Sequence, residues 1–225
     1  MLPIFCCWMC HHPIHIAQNG LCCFCQKAIE QSSYCIGCGN KTPYYTNWCG
    51  KCDPIHNWDY LIRAGMLSSP LSDLIYQFKF QHAYYLDKTL ARLLLLEIKN
   101  ARRECYFAMP EVIIPVPLHH KRKWHRGYNQ SELLANQLGK WLQIKVESEW
   151  IIRHKHTPTQ RGLTSKGRQK NIKGAFTLVN KKPHRYKRIA IVDDVFTTGA
   201  TIMEMSRLLK TAGVEEIMVW TLARA

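Results

Sequence analysis

From residue 60 onwards, the chain alternates between short apolar runs and segments in which apolar residues have helical spacing. The apolar runs predict buried strands, and they cover residues 112–116, 144–152, 189–192 and 217–222. The segments between them predict helices, and they cover residues 71–78, 86–98, 129–141 and 202–212. Because strands that alternate with helices form parallel sheets, this pattern predicts an α/β domain whose ligand site lies at the carboxyl ends of the strands.

Candidate chemistry follows the strand at 189–192. Two carboxylates stand where this strand ends, and small or hydroxylated residues connect them to the next helix. Free N–H groups at a helix start can hold a phosphate, and Gly199 lets the backbone approach it closely. Two carboxylates beside such a loop suit the hydroxyls of a sugar or a bound Mg²⁺, whereas an ordinary strand and helix with a solvated acidic pair is the alternative. The candidate ligand residues are Asp193, Asp194, Thr197, Thr198, Gly199, Ala200 and Thr201.

Positive charge is concentrated in one part of the chain. The formal net charge is +15, and residues 118–188 hold 18 lysines and arginines against 3 acidic residues. This concentration indicates a polyanionic partner or a phosphate-rich ligand, and a basic solvated face is the simpler alternative. Lys121, Arg122 and Lys123, which the pattern places in a loop, are the candidate contacts to nucleic-acid phosphates. Residues 153–176 have little apolar periodicity and predict a long loop or hairpin.

Ten of the eleven cysteines lie within the first 52 residues, and eight of them form Cys-x2-Cys pairs. Two intervening residues let both thiolates of a pair reach one metal ion, so the four pairs predict two structural zinc sites. The predicted ligands are Cys7, Cys10, Cys22, Cys25, Cys35, Cys38, Cys49 and Cys52. Cys6 and Cys23 could replace their neighbours as ligands, and an iron–sulfur cluster is the alternative centre. The composition predicts a zinc-binding module over residues 1–55 and a second domain over residues 56–225.

The segment 189–201 resembles the 13-residue signature that type I phosphoribosyltransferases use to bind phosphoribosyl pyrophosphate (PRPP). It matches that signature at every defining position. The resemblance implies a type I phosphoribosyltransferase-like fold, a parallel sheet flanked by helices. It also implies that Asp193 and Asp194 hold the ribose hydroxyls, that the loop from Thr197 to Thr201 holds the 5-phosphate, and that Mg²⁺ can accompany the ligand.

Further motifs extend along nearly the whole chain. They are Phe78-Lys79-Phe80, Val116-Pro117-Leu118, Arg122, Arg126 to Leu134, and spaced positions from Thr157 through Gln160, Leu163, Arg168 and Asn171 to Phe176. Together with the leading cysteine pairs, they resemble the ComF family of competence proteins, in particular its competence protein F and DNA-utilisation branch. This resemblance adds Lys79, Arg126 and Arg168 to the candidate ligand residues.

The ComF resemblance implies a role in the uptake or use of external DNA, at the stage where single strands reach the cytosol. One hypothesis is an accessory protein that binds PRPP and contacts single-stranded DNA, with Trp124, Tyr128 and Trp141 as candidate stacking surfaces. A helicase-like protein of the uptake machinery is then a candidate partner. The second hypothesis is a phosphoribosyltransferase whose acceptor the sequence does not name. No signal peptide or membrane span is expected, so the predicted location is the cytosol, with the inner face of the membrane reached through partners.

Overall fold

A computed structural model describes most of the chain. The described residues are 5–14, 20–29, 32–50, 52, 56–155, 172–179 and 186–225. The helices in this part are α1 (Cys23–Ala28), α2 (Leu71–Phe80), α3 (Asp87–Cys105), α4 (His120–Arg126), α5 (Gln130–Leu142) and α6 (Ala200–Thr211), and Tyr84–Leu86 form a 3-10 turn. The strands are β1 (Phe5–Cys6), β2 (Pro13–Ile14), β3 (Tyr60–Met66), β4 (Val112–Pro115), β5 (Lys145–Val146), β6 (Ile151–Arg153), β7 (Phe176–Leu178), β8 (Arg188–Phe196) and β9 (Glu216–Arg224).

A parallel sheet of five strands, in the order β3-β9-β8-β4-β5, forms the centre of the described fold. Each neighbouring pair is parallel; Ile191 of β8, for example, lies between Ile114 of β4 and Val219 of β9. Helices flank both faces of this sheet. The predicted parallel α/β architecture is therefore confirmed.

Two apolar cores lie on opposite faces of the sheet. Along β8, Ala190 and Val192 belong to the core that α2, α3 and α5 cover. Ile189 and Ile191 belong to the core that α6 and the β6–β7 hairpin cover. Because both faces are buried, β8 needs a continuous apolar run, and this is why the strand is recognisable in the sequence.

Two predicted elements differ from the structure. The strand predicted over residues 144–152 is two strands, because the polar residues Glu147 to Glu149 interrupt it. Its first part, β5, is an edge of the central sheet, and its second part, β6, pairs antiparallel with β7. The loop predicted around residues 121–126 is instead helix α4. The β6–β7 pairing agrees with a hairpin over residues 153–176, although residues 156–171 lie outside the described part.

The cysteine-rich segment lies directly against the edge of the sheet. The backbone N–H of Leu61, in β3, donates to the carbonyl of Ile36 at 2.5 Å. The buried Arg63 side chain donates from Nε to the carbonyl of Gly39 at 2.7 Å. A Cβ on Gly39 would lie 2.7 Å from Leu61 Cδ2, so a larger residue there would require the Leu61 side chain to shift. The domain boundary at residue 55 stays a prediction.

Among the described residues, none of the helices combines the length and the apolar character that a membrane crossing requires.

Candidate ligand and metal sites

The predicted strand end after Val192 is wrong, because β8 continues to Phe196 and pairs there with β9. The acidic pair lies in the last part of β8, just beyond the end of the neighbouring strand β4, at the edge of the sheet where ligands bind in parallel α/β folds. Both carboxylates are half-buried. Asp193 Oδ1 accepts hydrogen bonds from the backbone N–H of Asp194 at 2.8 Å and from Ser131 Oγ at 3.3 Å. Asp194 Oδ1 forms an ion pair with Lys79 Nζ at 2.7 Å. Residues from α2, α5 and β8 therefore meet at this point.

Burial, and then repulsion from Asp194, raise the pKa of Asp193 to about 7, although Lys79 and the hydrogen bonds act in the opposite direction. A ligand that brings a cation or a hydroxyl donor to such a carboxyl group stabilises its ionised form. The geometry therefore suits a sugar diol or a divalent cation at Asp193.

The loop between β8 and α6 follows the acidic pair closely in the chain. Gly199, which precedes α6, has a φ of 74°, in the left-handed region. A Cβ at this position would lie 2.7 Å from Phe196 Cζ and 3.3 Å from Trp58 Cη2, so only glycine fits both the backbone and the space. Within the described parts of the chain, no side chain caps the start of α6. Thr198 Oγ1 is buried, with no hydrogen-bond partner among the described residues. The free N–H groups at the start of α6 and the Thr198 hydroxyl are hydrogen-bond donors of the kind that suits an anion.

Two arginine side chains, one from α4 and one from β6, interact electrostatically with the carboxylates. Arg126 donates from Nη1 to Gln130 Oε1 at 2.7 Å, and its guanidinium lies 5.2 Å from the centre of the Phe80 ring. Burial lowers the pKa of Arg126, and the charge of Asp194 opposes this shift. Burial and the charge of Arg122 lower the pKa of Arg153 to about 10, and Asp193 opposes this shift. The site therefore holds cations close to its acidic pair.

The structure brings together some of the candidate residues and leaves others undescribed. Lys79, Arg126, Asp193 and Asp194 meet at one strand end. Arg168 lies outside the described residues. Lys121 and Lys123 lie on α4, and their side chains are not described, whereas Arg122 of the same helix is half-buried.

Arg153 and Gln130 are site residues that the sequence did not identify as candidates. Arg153 ends the apolar strand β6 and is 9% exposed. Gln130 is 1% exposed, and its Nε2 donor has no partner among the described residues. A basic side chain directly after an apolar run was the available signal for Arg153. For Gln130, the available signal was its position within the motif from Arg126 to Leu134.

The eight predicted zinc ligands form two groups of four. The first group, Cys7, Cys10, Cys22 and Cys25, and the second group, Cys35, Cys38, Cys49 and Cys52, each have their sulfur atoms within 4.8 Å of one another. Individual Sγ–Sγ distances are 3.6 Å, 3.7 Å and 3.9 Å. Tetrahedral zinc with Zn–S bonds of about 2.3 Å separates its sulfurs by about 3.8 Å, so each group fits one zinc ion. We call them the first and the second cysteine cluster; Cys6 and Cys23 belong to neither.

Two side chains join the second cysteine cluster to the end of β8 and the loop between β8 and α6. Arg224 donates from Nε to the carbonyl of Cys38 at 3.1 Å and from Nη1 to the carbonyl of Thr197 at 2.8 Å. Trp58 donates from Nε1 to the carbonyl of Gly37 at 2.8 Å. The Trp58 and Phe196 rings also contact each other, in an edge-to-face arrangement. Neither Arg224 nor Trp58 was identified from the sequence, because both act through contacts with distant parts of the chain.

Known proteins resemble this chain in two ways, by sequence and by fold. The chain is 50% identical to "Competence protein F" of Haemophilus influenzae, over 98% of this chain and 97% of that protein. It is 38% identical to "DNA utilization protein YhgH" of Escherichia coli O6:H1, over 97% of this chain and 96% of that protein. A purine phosphoribosyltransferase structure from Pyrococcus horikoshii matches with a TM-score of 0.36 and 19% identity, over 65% of this chain and 75% of that one. No model of a protein family matches the chain.

Proposed function

Because the chain belongs to the family of competence protein F and the DNA utilization protein YhgH, we propose that it is an accessory protein of DNA uptake. It acts in the cytosol on incoming single-stranded DNA and holds a PRPP-type ligand at the end of β8. The observation that carries the ligand assignment is the meeting of an acidic pair, an anion-binding loop and several cations at one strand end.

Each part of the pocket has a chemical counterpart in PRPP. Asp193 and Asp194 accept hydrogen bonds from the ribose hydroxyls. The 5-phosphate is held by the N–H groups at the start of α6 and by the buried hydroxyl of Thr198. Lys79, Arg126 and Arg153 provide the positive charge that a pyrophosphate group requires. Mg²⁺, when bound, would neutralise part of the ligand's charge, and the acidic pair supplies the oxygen ligands that it prefers.

The basic segment supports the DNA assignment. Helix α4 carries Lys121, Arg122 and Lys123 in sequence, next to Trp124, which is 89% exposed. Consecutive cations attract a phosphate backbone regardless of base sequence. Zinc has a structural role in this proposal, because four thiolates at each cysteine cluster leave no open position for a substrate.

A phosphoribosyltransferase acting on an unidentified acceptor is the second candidate. The observation that favours it is the position of Lys79, Arg126 and Arg153, since cations stabilise a departing pyrophosphate. Its distinguishing result would be the release of pyrophosphate from PRPP when an acceptor is added.

The ligand assignment is tested by calorimetry with PRPP and Mg²⁺. Asp193→Asn should weaken PRPP binding by about tenfold or more, because the neutral amide attracts Mg²⁺ weakly and replaces one acceptor oxygen with an N–H₂ donor. The matched control is Asp73→Asn, which changes an exposed carboxylate on α2. Equal affinities for PRPP in both variants and the parent would contradict the pocket.

The DNA assignment is tested by fluorescence anisotropy with single-stranded oligonucleotides over a range of salt concentrations. Neutralising Lys121, Arg122 and Lys123 together should weaken binding to all sequences alike and lower the log–log salt slope by about 0.7 for each phosphate that is no longer neutralised. The control removes three exposed cations from the end of α3, Lys99, Arg102 and Arg103. If both triple variants bind DNA as the parent does, or if affinity does not depend on salt, α4 does not bind DNA.

A further inference from the structure

A groove separates the β1–β2 hairpin from α2 and the 3-10 turn that follows α2. Its volume is about 620 Å³. Its lining includes the side chains of Phe5, Trp8, His11, Gln77, Gln81 and Tyr85. The described lining contains neither aspartate nor glutamate, and it combines exposed rings with primary amides. Cys7, a member of the first cysteine cluster, also borders it.

The rings of this groove are held in place although they remain accessible. Trp8 is 39% exposed and Tyr85 is 49% exposed. The indole N–H of Trp8 donates to Thr89 Oγ1 at 3.3 Å, and the Trp8 and Tyr85 ring centres lie 4.8 Å apart. A Cβ on Gly20 would lie 2.4 Å from Trp8 Nε1, so this glycine allows the indole to reach its partner. A ring fixed at one edge loses little conformational freedom when another ring stacks on it.

A continuous row of rings leads from the groove towards the acidic pair. Tyr85 is followed by Tyr84, and Tyr84 by Tyr128, with 6.3 Å between ring centres at each step. The Tyr128 hydroxyl donates to the backbone carbonyl of Phe78, which fixes the end of the row. Next to that end lie Lys79, on α2, and Arg126. We define Trp8, Tyr85, Tyr84 and Tyr128 as the aromatic row.

We propose that the groove and the aromatic row form a binding path for the bases of single-stranded DNA, a site that rests on the proposed function. Every base has a flat π face, so a row of rings stacks bases without selecting a sequence. The amides of Gln77 and Gln81 offer both donors and acceptors to base edges. The net charge of +15 and the cations at the end of the row complement a polyanion.

The experiment compares DNA binding of the parent chain with Tyr84→Ala/Tyr85→Ala at several salt concentrations. Affinity should fall by about fivefold or more, since base stacking on a ring accounts for at least this factor. The salt slope should stay unchanged, because the variant keeps every cation that binds phosphate. Tyr44→Ala is the matched control, since Tyr44 is 70% exposed and lies in the cysteine-rich segment outside the groove. Zinc content and the midpoint of thermal unfolding verify the fold of each variant.

A second measurement uses the parent chain alone. Oligonucleotides that carry 5-iodouracil are photo-crosslinked, and mass spectrometry identifies the modified residues; crosslinks at Trp8, Tyr84 or Tyr85 support the path. Parent-like affinity in the double variant, with crosslinks confined to other residues, would overturn the path and favour a protein partner for the groove, while DNA binding by the parent keeps the proposed function. If the parent chain binds no single-stranded DNA, both proposals fail.

Discussion

The two cysteine clusters have the same ligands and similar sulfur spacing, but they support different parts of the molecule. The second cluster is joined to the loop before α6 by Arg224 and Trp58. The first cluster instead lies beside α2 and α3, where Trp8 bonds to Thr89 and borders the groove. One cysteine pattern, repeated in the sequence, therefore has two structural roles. The second cluster is hydrogen-bonded through Arg224 to the loop before α6, and the first cluster borders the groove.

Removing one ligand from each cluster should separate these roles most strongly. Cys38→Ser should release one of the two zinc ions and weaken PRPP binding by about tenfold or more, because metal binding stabilises the segment whose carbonyl Arg224 uses. Cys10→Ser should also release one zinc ion but leave PRPP affinity close to that of the parent. Elemental analysis and calorimetry measure both quantities. Equal reduction of PRPP affinity in the two variants would contradict the division of roles.

A pair of glycine substitutions tests whether close packing next to Trp58 matters for the loop. Gly199→Ala should lower the free energy of unfolding by about 2–4 kcal/mol, since it adds backbone strain and a collision with Phe196. Gly213→Ala is the matched control, because Gly213 also has a positive φ, 94°, but a Cβ there would enter open space. It should cost about 1–2 kcal/mol. Denaturant titration measures both free energies of unfolding. PRPP affinity should fall only in Gly199→Ala. A weaker PRPP affinity in Gly213→Ala would mean that loss of stability anywhere along helix α6 weakens binding.

The smallest expected difference comes from two tryptophans, one beside each cluster. Trp58→Phe removes the hydrogen bond to Gly37, and Trp8→Phe removes the hydrogen bond to Thr89. Each should lower the free energy of unfolding by about 1 kcal/mol. Only Trp58→Phe should weaken PRPP binding, by a few-fold, because only Trp58 contacts Phe196 beside the loop. Thermal unfolding measures the stability of the two variants, and calorimetry measures their PRPP affinity. A weaker PRPP affinity in Trp8→Phe would contradict the expected difference between the two tryptophans.

Features that depend on neighbouring residues could be read from the sequence. The apolar run of β8 followed by Asp193 and Asp194, and the spacing of the cysteine pairs, are local signals. Arg224 and Cys38 are 186 residues apart, and the hydrogen bond between them exists only once the sheet has assembled. Arg153 likewise approaches Asp193 through tertiary structure.

Helix α4 shows a related limit of prediction from the sequence. Its run of basic residues contains no apolar periodicity, and like charges disfavour an isolated helix. Arg122 is nevertheless half-buried in the folded chain, where burial lowers its pKa. Tertiary packing therefore outweighs the local preference that predicted a loop.

The strand order has a consequence for the time course of synthesis. Strand β9 lies between β3 and β8. Strand β3, which begins at Tyr60, therefore cannot pair in the sheet until the ribosome has synthesised β9 with its partner residue Met218. At about 5–20 residues per second, a ribosome needs roughly 8–30 s for the intervening stretch. The second cysteine cluster is translated before β3, and zinc bound there would keep the Ile36 carbonyl in position to bond Leu61 during this interval. Zinc supply during translation, measured as the soluble yield from zinc-depleted and zinc-replete cell-free synthesis, would then affect how much chain escapes aggregation, and equal yields would argue against such protection.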